Sequence, residues 1–220
     1  MQHALPTAVY DPSCRRCARL ARFLDEVGAA HPDYHAAPVP PFGSNDARLL
    51  VVGLAPGMHG ANASGRPFTG DHAGILLYRT LHRFGFAARP ESRHADDGLR
   101  LPDCRITNAV KCLPPQNKPQ PAEIANCRSY LAAELALLAP GAVVVALGRI
   151  AHETLLRAWG LPLRAHPFAH GAEHVLEDAA VTLLDSYHCS RYNTQTGRLT
   201  AGMFEAVFAR ARALLDGASS

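Results

Sequence analysis

Short, fully apolar runs alternate along the chain with stretches in which apolar residues recur every three or four positions. Residues 49–54, LLVVGL, are one such run, ended by Pro56 and Gly57. A run without polar alternation predicts a strand buried on both faces. Residues 104–112, CRITNAVKC, predict a second strand, GAVVVALG a third and residues 181–186, VTLLDS, a fourth. Helical spacing fills the gaps between them. Leu76, Leu77, Leu81 and Phe84 share one face after the first strand; Ile124, Cys127, Leu131 and Leu135 share another within a helix predicted over about 122–138. Residues 149–159 predict a further helix. A last one carries Met203, Phe204, Val207, Phe208 and Ala211 along one side, with Thr200 placed to cap it. Ahead of the first strand, Leu20, Phe23, Leu24 and Val27 predict an amphipathic helix. Strands alternating with helices argue for an α/β fold in which helices cover both faces of a parallel sheet. Residues 36–43, rich in proline, read as a linker, and no other boundary marks the chain, so one domain over 1–220 is expected.

With 220 residues, 48% of them apolar and 19% charged, the chain can bury a substantial core, which excludes global disorder. The formal net charge of +3 permits a polyanionic partner without requiring one. No apolar run reaches membrane-spanning length; the longest, 137–148, contains Pro140 and Gly141. The N-terminus lacks a basic segment followed by an apolar one, so a reducing cytoplasm is the expected compartment. Six cysteines there favour metal ligation or free thiols over disulfides.

Cys14 and Cys17 form a C-x-x-C pair, and Cys112 and Cys127 are separated by fourteen residues. Four thiolates from these two distant pairs would clip the N-terminal segment onto the middle of the chain. A tetrahedral zinc and a [4Fe–4S] cluster both accept that donor set, and spacing does not choose between them. Buried reduced thiols are the plain alternative. Cys104 and Cys189 are read as packing residues.

In open α/β sheets ligands bind beyond the carboxyl ends of the strands. The first of those ends carries GLAPGMHGANASGRPFTGD, which is neither a dinucleotide fingerprint nor a P-loop, so a nucleoside triphosphate cradle is not indicated. Its glycines allow backbone groups to approach a flat ligand. Phe68 offers a stacking face or a core side chain, and Asp71 a functional carboxylate or a helix cap. Asn108 interrupts an apolar strand with an amide able to read a base edge or to satisfy a neighbouring loop. His188 follows the fourth strand. Beside it Ser190, Arg191, Asn193, Thr194, Gln195, Thr196 and Arg198 form a polar loop without acidic residues, suited to phosphate contacts or to plain solvation.

Together, GLAPGxxGAxxxGRPFTGD, TNAVKCxPPxNKPxPxEIxNC and YHCSRYNTQTGRLT resemble the uracil-DNA glycosylase superfamily, and within it the broad-specificity iron–sulfur branch known as family 5. The resemblance spans residue 14 to about 204. Family 4 is similar but carries Glu where this chain has Leu54, which makes Asp71 the best carboxylate candidate. Cys189 departs from the apolar residue common in relatives, and a thiol should be tolerated there as a small hydrophobe.

The resemblance implies a three-layer α/β/α fold around a four-stranded parallel sheet. It implies a structural [4Fe–4S] cluster on Cys14, Cys17, Cys112 and Cys127, with the segment 1–35 clipped on through it. The substrate would be uracil-containing DNA, with other deaminated bases and thymine mispairs as further targets, and a monofunctional glycosylase would leave an abasic site. Gly53, Ala55, Phe68, Asn108 and His188 would bind the base, Asp71 and His188 would be catalytic, and Ser190 and Arg191 would grip phosphate. A cytoplasmic, nucleoid-associated monomer is expected. The rival readings are a hydrolase of free nucleosides, a non-catalytic iron–sulfur DNA-binding or redox module, and a zinc-stapled ligand-binding domain.

Overall fold

The computed structural model describes residues 9–217. Helix Ala18–Ala30 (α1) comes first, then a two-residue strand, Phe42–Gly43 (β1), and strand Leu49–Gly53 (β2). A single turn, Ala61–Ser64 (α2), and helix His72–Arg83 (α3) lead to strand Cys104–Asn108 (β3). Helix Pro121–Leu135 (α4), strand Ala142–Leu147 (β4) and helix Arg149–Ala158 (α5) follow. The chain then forms strands Glu173–Leu176 (β5) and Val181–Ser186 (β6), a short helix Arg191–Gln195 (α6) and a long one, Ala201–Gly217 (α7).

The strand order is β1-β3-β2-β4-β6-β5. The four expected strands, β3, β2, β4 and β6, run parallel. They are the centre of a six-stranded mixed sheet, because β1 and β5 add antiparallel edges that the sequence pattern did not announce. A two-residue strand is too short to carry a period. Strand β5, EHVL, is exposed or half-buried over most of its length and lacks the apolar signature of the centre. Short and charged edges of this kind discourage pairing with other chains.

Alternation within the strands builds the layers. Leu49 and Val51 point to one face, where Leu77, Leu81, Phe204 and Phe208 of α3 and α7 cover them. Leu50 and Val52 point to the other, against Leu131, Leu135, Leu155 and Leu156 of α4 and α5. Each such apolar side chain contributes about 1.5–3 kcal/mol on burial. Thr200 caps α7 as expected, its hydroxyl accepting the Met203 N–H at 3.2 Å. Cys104 and Cys189 are fully buried in the first of these layers, as packing residues.

Two expectations are corrected. Residues 36–43 are a docked strap: Val39 is buried, its N–H donates to the Lys111 carbonyl at 2.8 Å, and Phe42 pairs with Ile106. The second strand ends at Asn108, and the backbone then turns. Ala109 and Val110 donate to the carbonyls of Gly53 and Leu54, both at 2.9 Å, which swings Lys111 and Cys112 toward α1. A third apolar cluster of Leu20, Leu24, Val27, Val110, Leu113 and Tyr130 packs α1 there. In register, Gly53 lies opposite Asn108 and Leu147 opposite Ser186, so the strands open their carboxyl ends on one edge.

Candidate functional site

Gly53, at the tip of β2, is the floor of a narrow slot. A Cβ there would lie 2.5 Å from Asn108 Oδ1 and 2.6 Å from Phe68 Cζ, so only glycine lets these side chains close over the strand end. Phe68 is buried at 5% exposure, and the His188 ring stacks beside it with centroids 5.9 Å apart and planes 29° apart. The Phe68 backbone lies in the left-handed region, φ +54°, and its carbonyl packs so closely on α3 that a Cβ at Gly74 would fall 1.8 Å from it.

Asn108 is 3% exposed, yet its Oδ1 has no hydrogen-bond partner among the described residues. A buried carbonyl oxygen without a donor is costly unless a water or ligand supplies one. Nearby, the backbone N–H groups of Ala55, Gly57 and Met58 likewise donate to no acceptor among the described residues. Buried Asn62 leaves both side-chain polar atoms unpaired, a feature of this loop with no sequence signal beyond its being an amide in an apolar turn.

Asp71 enters from the start of α3. One of its oxygens accepts the Gly74 N–H at 2.8 Å, so it is an N-cap. Its other oxygen faces the glycine loop, where a Cβ at Gly60 would fall 2.9 Å from it. Burial pushes the Asp71 carboxyl above its ordinary value, against the lowering by the Gly74 and Ala73 N–H groups. His188 is held by its backbone, whose carbonyl accepts from Asn193 Nδ2 at 2.8 Å. Burial lowers its imidazole to about 4, which leaves it neutral at neutral pH, with neither ring nitrogen hydrogen-bonded among the described residues. His72 and Thr194, 3.0 Å apart, tie α3 to the His188 loop.

The sequence-derived candidates Gly53, Phe68, Asn108 and His188 therefore meet, Asp71 borders them, and Ala55 links the slot to the cysteine region. Arg191 is exposed and lines an open cleft with Phe68 and Asp71. Ser190 caps α6, its hydroxyl accepting the Asn193 N–H at 3.4 Å.

Cys14, Cys17, Cys112 and Cys127 line one cavity between α1, α4 and the turn after β3. All four are free thiols, and they crowd one another electrostatically. Burial, then repulsion from Cys127, Cys14 and Cys17, pushes Cys112 up to about 12. Burial alone would raise Cys14 too, but hydrogen bonds involving Tyr130 and Arg16 leave it lowered. Such a set is relieved by a cationic centre. Zinc–sulfur bonds of about 2.3 Å would bring tetrahedral sulfurs to roughly 3.8 Å from one another. Among the described residues no three of these sulfurs lie within 4.8 Å of one another, a spread too wide for one zinc and suited to a polynuclear cluster. The Lys111 N–H donates to Cys127 Sγ at 3.3 Å and Asn126 Nδ2 to Cys17 Sγ at 3.5 Å.

Lys111 was not singled out from the sequence, although a lysine between apolar neighbours is a legible oddity. It is 2% exposed; its ammonium pairs with buried Glu134 and Thr107 and donates to the Asn108 carbonyl at 3.0 Å.

Residues 40–212 match the family profile described as "Uracil DNA glycosylase superfamily". The chain is 50% identical over 207 residues to the type-5 uracil-DNA glycosylase of Thermus thermophilus, covering 92% of this chain and 94% of that one. It is 44% identical over 209 residues to the type-5 protein of Mycobacterium leprae, covering 91% of each. It is 34% identical over 150 residues to the type-4 uracil-DNA glycosylase of Archaeoglobus fulgidus, covering 68% and 61%. With its fold, its slot and its cysteine quartet read together with these matches, the chain belongs to the uracil-DNA glycosylase superfamily, in its type-5 branch.

Proposed function

We propose that this chain is a DNA-repair glycosylase that hydrolyses the N-glycosidic bond of uracil, and of other deaminated bases, in DNA. The observation that carries the reading is the buried, unpartnered Asn108 Oδ1 held beside the Phe68 and His188 rings. That is a flat slot with one polar group still to be satisfied, the complement of a planar, hydrogen-bonding ring.

A base inside a duplex cannot reach such a slot, so it must first flip out. Unstacking costs a few kcal/mol, least at a mispair, which already favours damage. The ring of Phe68 then stacks on the base and the Asn108 amide meets its polar edge. Exposed Arg191 grips phosphate beside the cleft. As the glycosidic bond breaks, negative charge gathers on the departing base. The free N–H groups of Ala55, Gly57 and Met58, with neutral His188, face that charge. Asp71, whose outward oxygen is left over from its capping bond, stabilises the cationic sugar or holds the attacking water. Cys14, Cys17, Cys112 and Cys127 hold a [4Fe–4S] cluster that pins α1 to α4 next to the slot and takes no part in the chemistry.

The test is a gel assay on oligonucleotides carrying uracil, hypoxanthine or a T·G mispair, using iron-loaded protein. Breaks at the uracil position only after alkali treatment are expected. Iron-loaded protein that leaves every lesion intact overturns the reading, and breaks without alkali overturn the monofunctional assignment.

A further inference from the structure

Outside the slot, three side chains converge at the carboxyl end of β6, on the sheet face covered by α5. Asp185 is fully buried, His152 of α5 is 1% exposed, and His174 of the edge strand β5 is accessible at 10%. Ligand-type atoms of all three lie within 4.8 Å of one another. His152 Nδ1 is 2.7 Å from Asp185 Oδ1, and His174 Nε2 is 3.2 Å from Asp185 Oδ2. The half-buried His166 stands edge-on to His174, ring centroids 5.5 Å apart.

The hydrogen bonding of His152 narrows the chemistry. Its Nε2 lies 2.8 Å from the His166 carbonyl oxygen. A carbonyl only accepts, so Nε2 carries a proton, and Nδ1 is the nitrogen left to face the carboxylate. A carboxylate oxygen also only accepts, so a cation sits between the two, either a second ring proton or a metal ion. A histidine that binds metal through one nitrogen and gives its other N–H to a backbone carbonyl is the recurring arrangement around bound metals. The second imidazole approaches the other oxygen of the same carboxylate, so the donors converge from three sides. For ligand bonds of about 2.0–2.1 Å, tetrahedral donors stand roughly 3.3 Å apart; the His174–Asp185 spacing of 3.2 Å matches this, and the His152–Asp185 spacing of 2.7 Å would open on metal binding.

We infer that His152 Nδ1, His174 Nε2 and the Asp185 carboxylate form a binding site for a divalent transition-metal ion, zinc being the best match to two imidazoles and a carboxylate. The site is separate from the cysteine quartet and contains no sulfur. Its place in the fold gives it a structural role. Asp185 donates from its N–H to the Ala172 carbonyl at 2.9 Å and accepts from the Gly171 N–H at 2.8 Å, while Tyr187 donates to His170 Nδ1 at 3.1 Å. An ion held here fastens α5 and the β5–β6 hairpin to the strand end that presents His188.

Cobalt(II) titrated anaerobically into the full, cluster-loaded chain tests the site. One equivalent should bind with visible d–d bands and without a thiolate-to-cobalt charge-transfer band, and zinc should displace it and raise Tm. Loss of even an outer partner of a metal ligand costs about 10–100-fold in affinity, so His174→Gln should weaken cobalt binding at least about tenfold. Glutamine keeps a side-chain donor for Asp185 Oδ2, so Tm without added metal should change little. Asp185→Asn, which keeps shape and removes charge, should do the same to binding. Failure to bind cobalt at millimolar concentration overturns the proposal. So does a thiolate charge-transfer band, which would move the ion to the cysteines, or undiminished binding in His174→Gln.

Discussion

Lys111 donates from its ammonium to the Asn108 carbonyl at 3.0 Å while its backbone N–H reaches Cys127 Sγ at 3.3 Å. One buried residue thereby ties the main chain of Asn108, whose side chain borders the slot, to the cysteine quartet. Its charge is balanced by Glu134, which also accepts from Thr107 and Arg105. Lys111→Met leaves Glu134 buried with only Arg105, 3.4 Å away, as cation. Breaking a buried pair costs about 3–5 kcal/mol, and the remaining arginine places this variant near the lower figure. Urea unfolding should show it, and Lys111→Met with Glu134→Leu should regain part of the loss, since both charges are then gone.

Gly53→Ala should cripple the slot without unfolding the protein. The added methyl meets Asn108 Oδ1 at 2.5 Å and Phe68 Cζ at 2.6 Å, so one of the two must turn away. Overpacking of this kind costs about 1–3 kcal/mol. Single-turnover rates on a U·G duplex should fall at least tenfold. Wild-type rates would mean that the base does not enter between these side chains.

Asp71→Asn and His188→Ala should each lower glycosylase turnover at least tenfold while duplex affinity, measured by fluorescence anisotropy, stays nearly the same. For His188, losing one donor to a developing anion costs about 3–4 kcal/mol. Asp71→Asn can still accept the Gly74 N–H through its amide oxygen, so its Tm should change little, which separates the outward oxygen's role from capping.

His188 adds a pH signature. Burial takes it from 6.5 to about 4, so between those values the unfolded chain binds the proton and the folded one does not. Stability from the neutral ring is therefore complete above about pH 6.5 and declines as the pH falls toward 4. His188→Gln removes that titration. Its stability should change less than that of the parent chain between pH 7 and pH 4.5, as read by urea midpoints at each pH.

Cys112→Ser should abolish broad visible absorption and lower Tm. The α1 segment should become an early site of proteolytic cleavage, since its remaining anchors, which include the cluster around Leu20, Leu24 and Val27 and the Arg19–Glu123 pair at 2.7 Å, are apolar packing and side-chain bonds. Unchanged iron content in this variant would remove Cys112 from the ligand set.

The parallel centre of the sheet was legible because its strands are unbroken apolar runs with helical periods between them, and β6 matches residues 181–186 as read. The edges were not, because β1 is too short for any period and β5 exposes most of its residues. The same difference separates the parts of the slot. Asn108 and His188 stood at or just past strand ends and Phe68 in the loop after the first strand, and the motifs around them carried the family resemblance that marked all three. The glycine loop did announce close backbone approach, and Ala55 was expected to bind the base, but only the fold decides that the N–H groups of Ala55, Gly57 and Met58 are the ones without an acceptor among the described residues. Lys111 and Glu134 belong between these cases: each looks like a surface charge until the turn after β3 buries both.

The left-handed backbone at Phe68, locked by its carbonyl against Gly74, has a consequence for how such enzymes diversify. The direction in which residue 68 projects is written into the main chain and does not depend on the aromatic ring itself. Exchanging that ring for a slimmer side chain widens the aperture while the main chain keeps its course. Substrate range can therefore drift by single substitutions at this point, with the frame around it inherited unchanged.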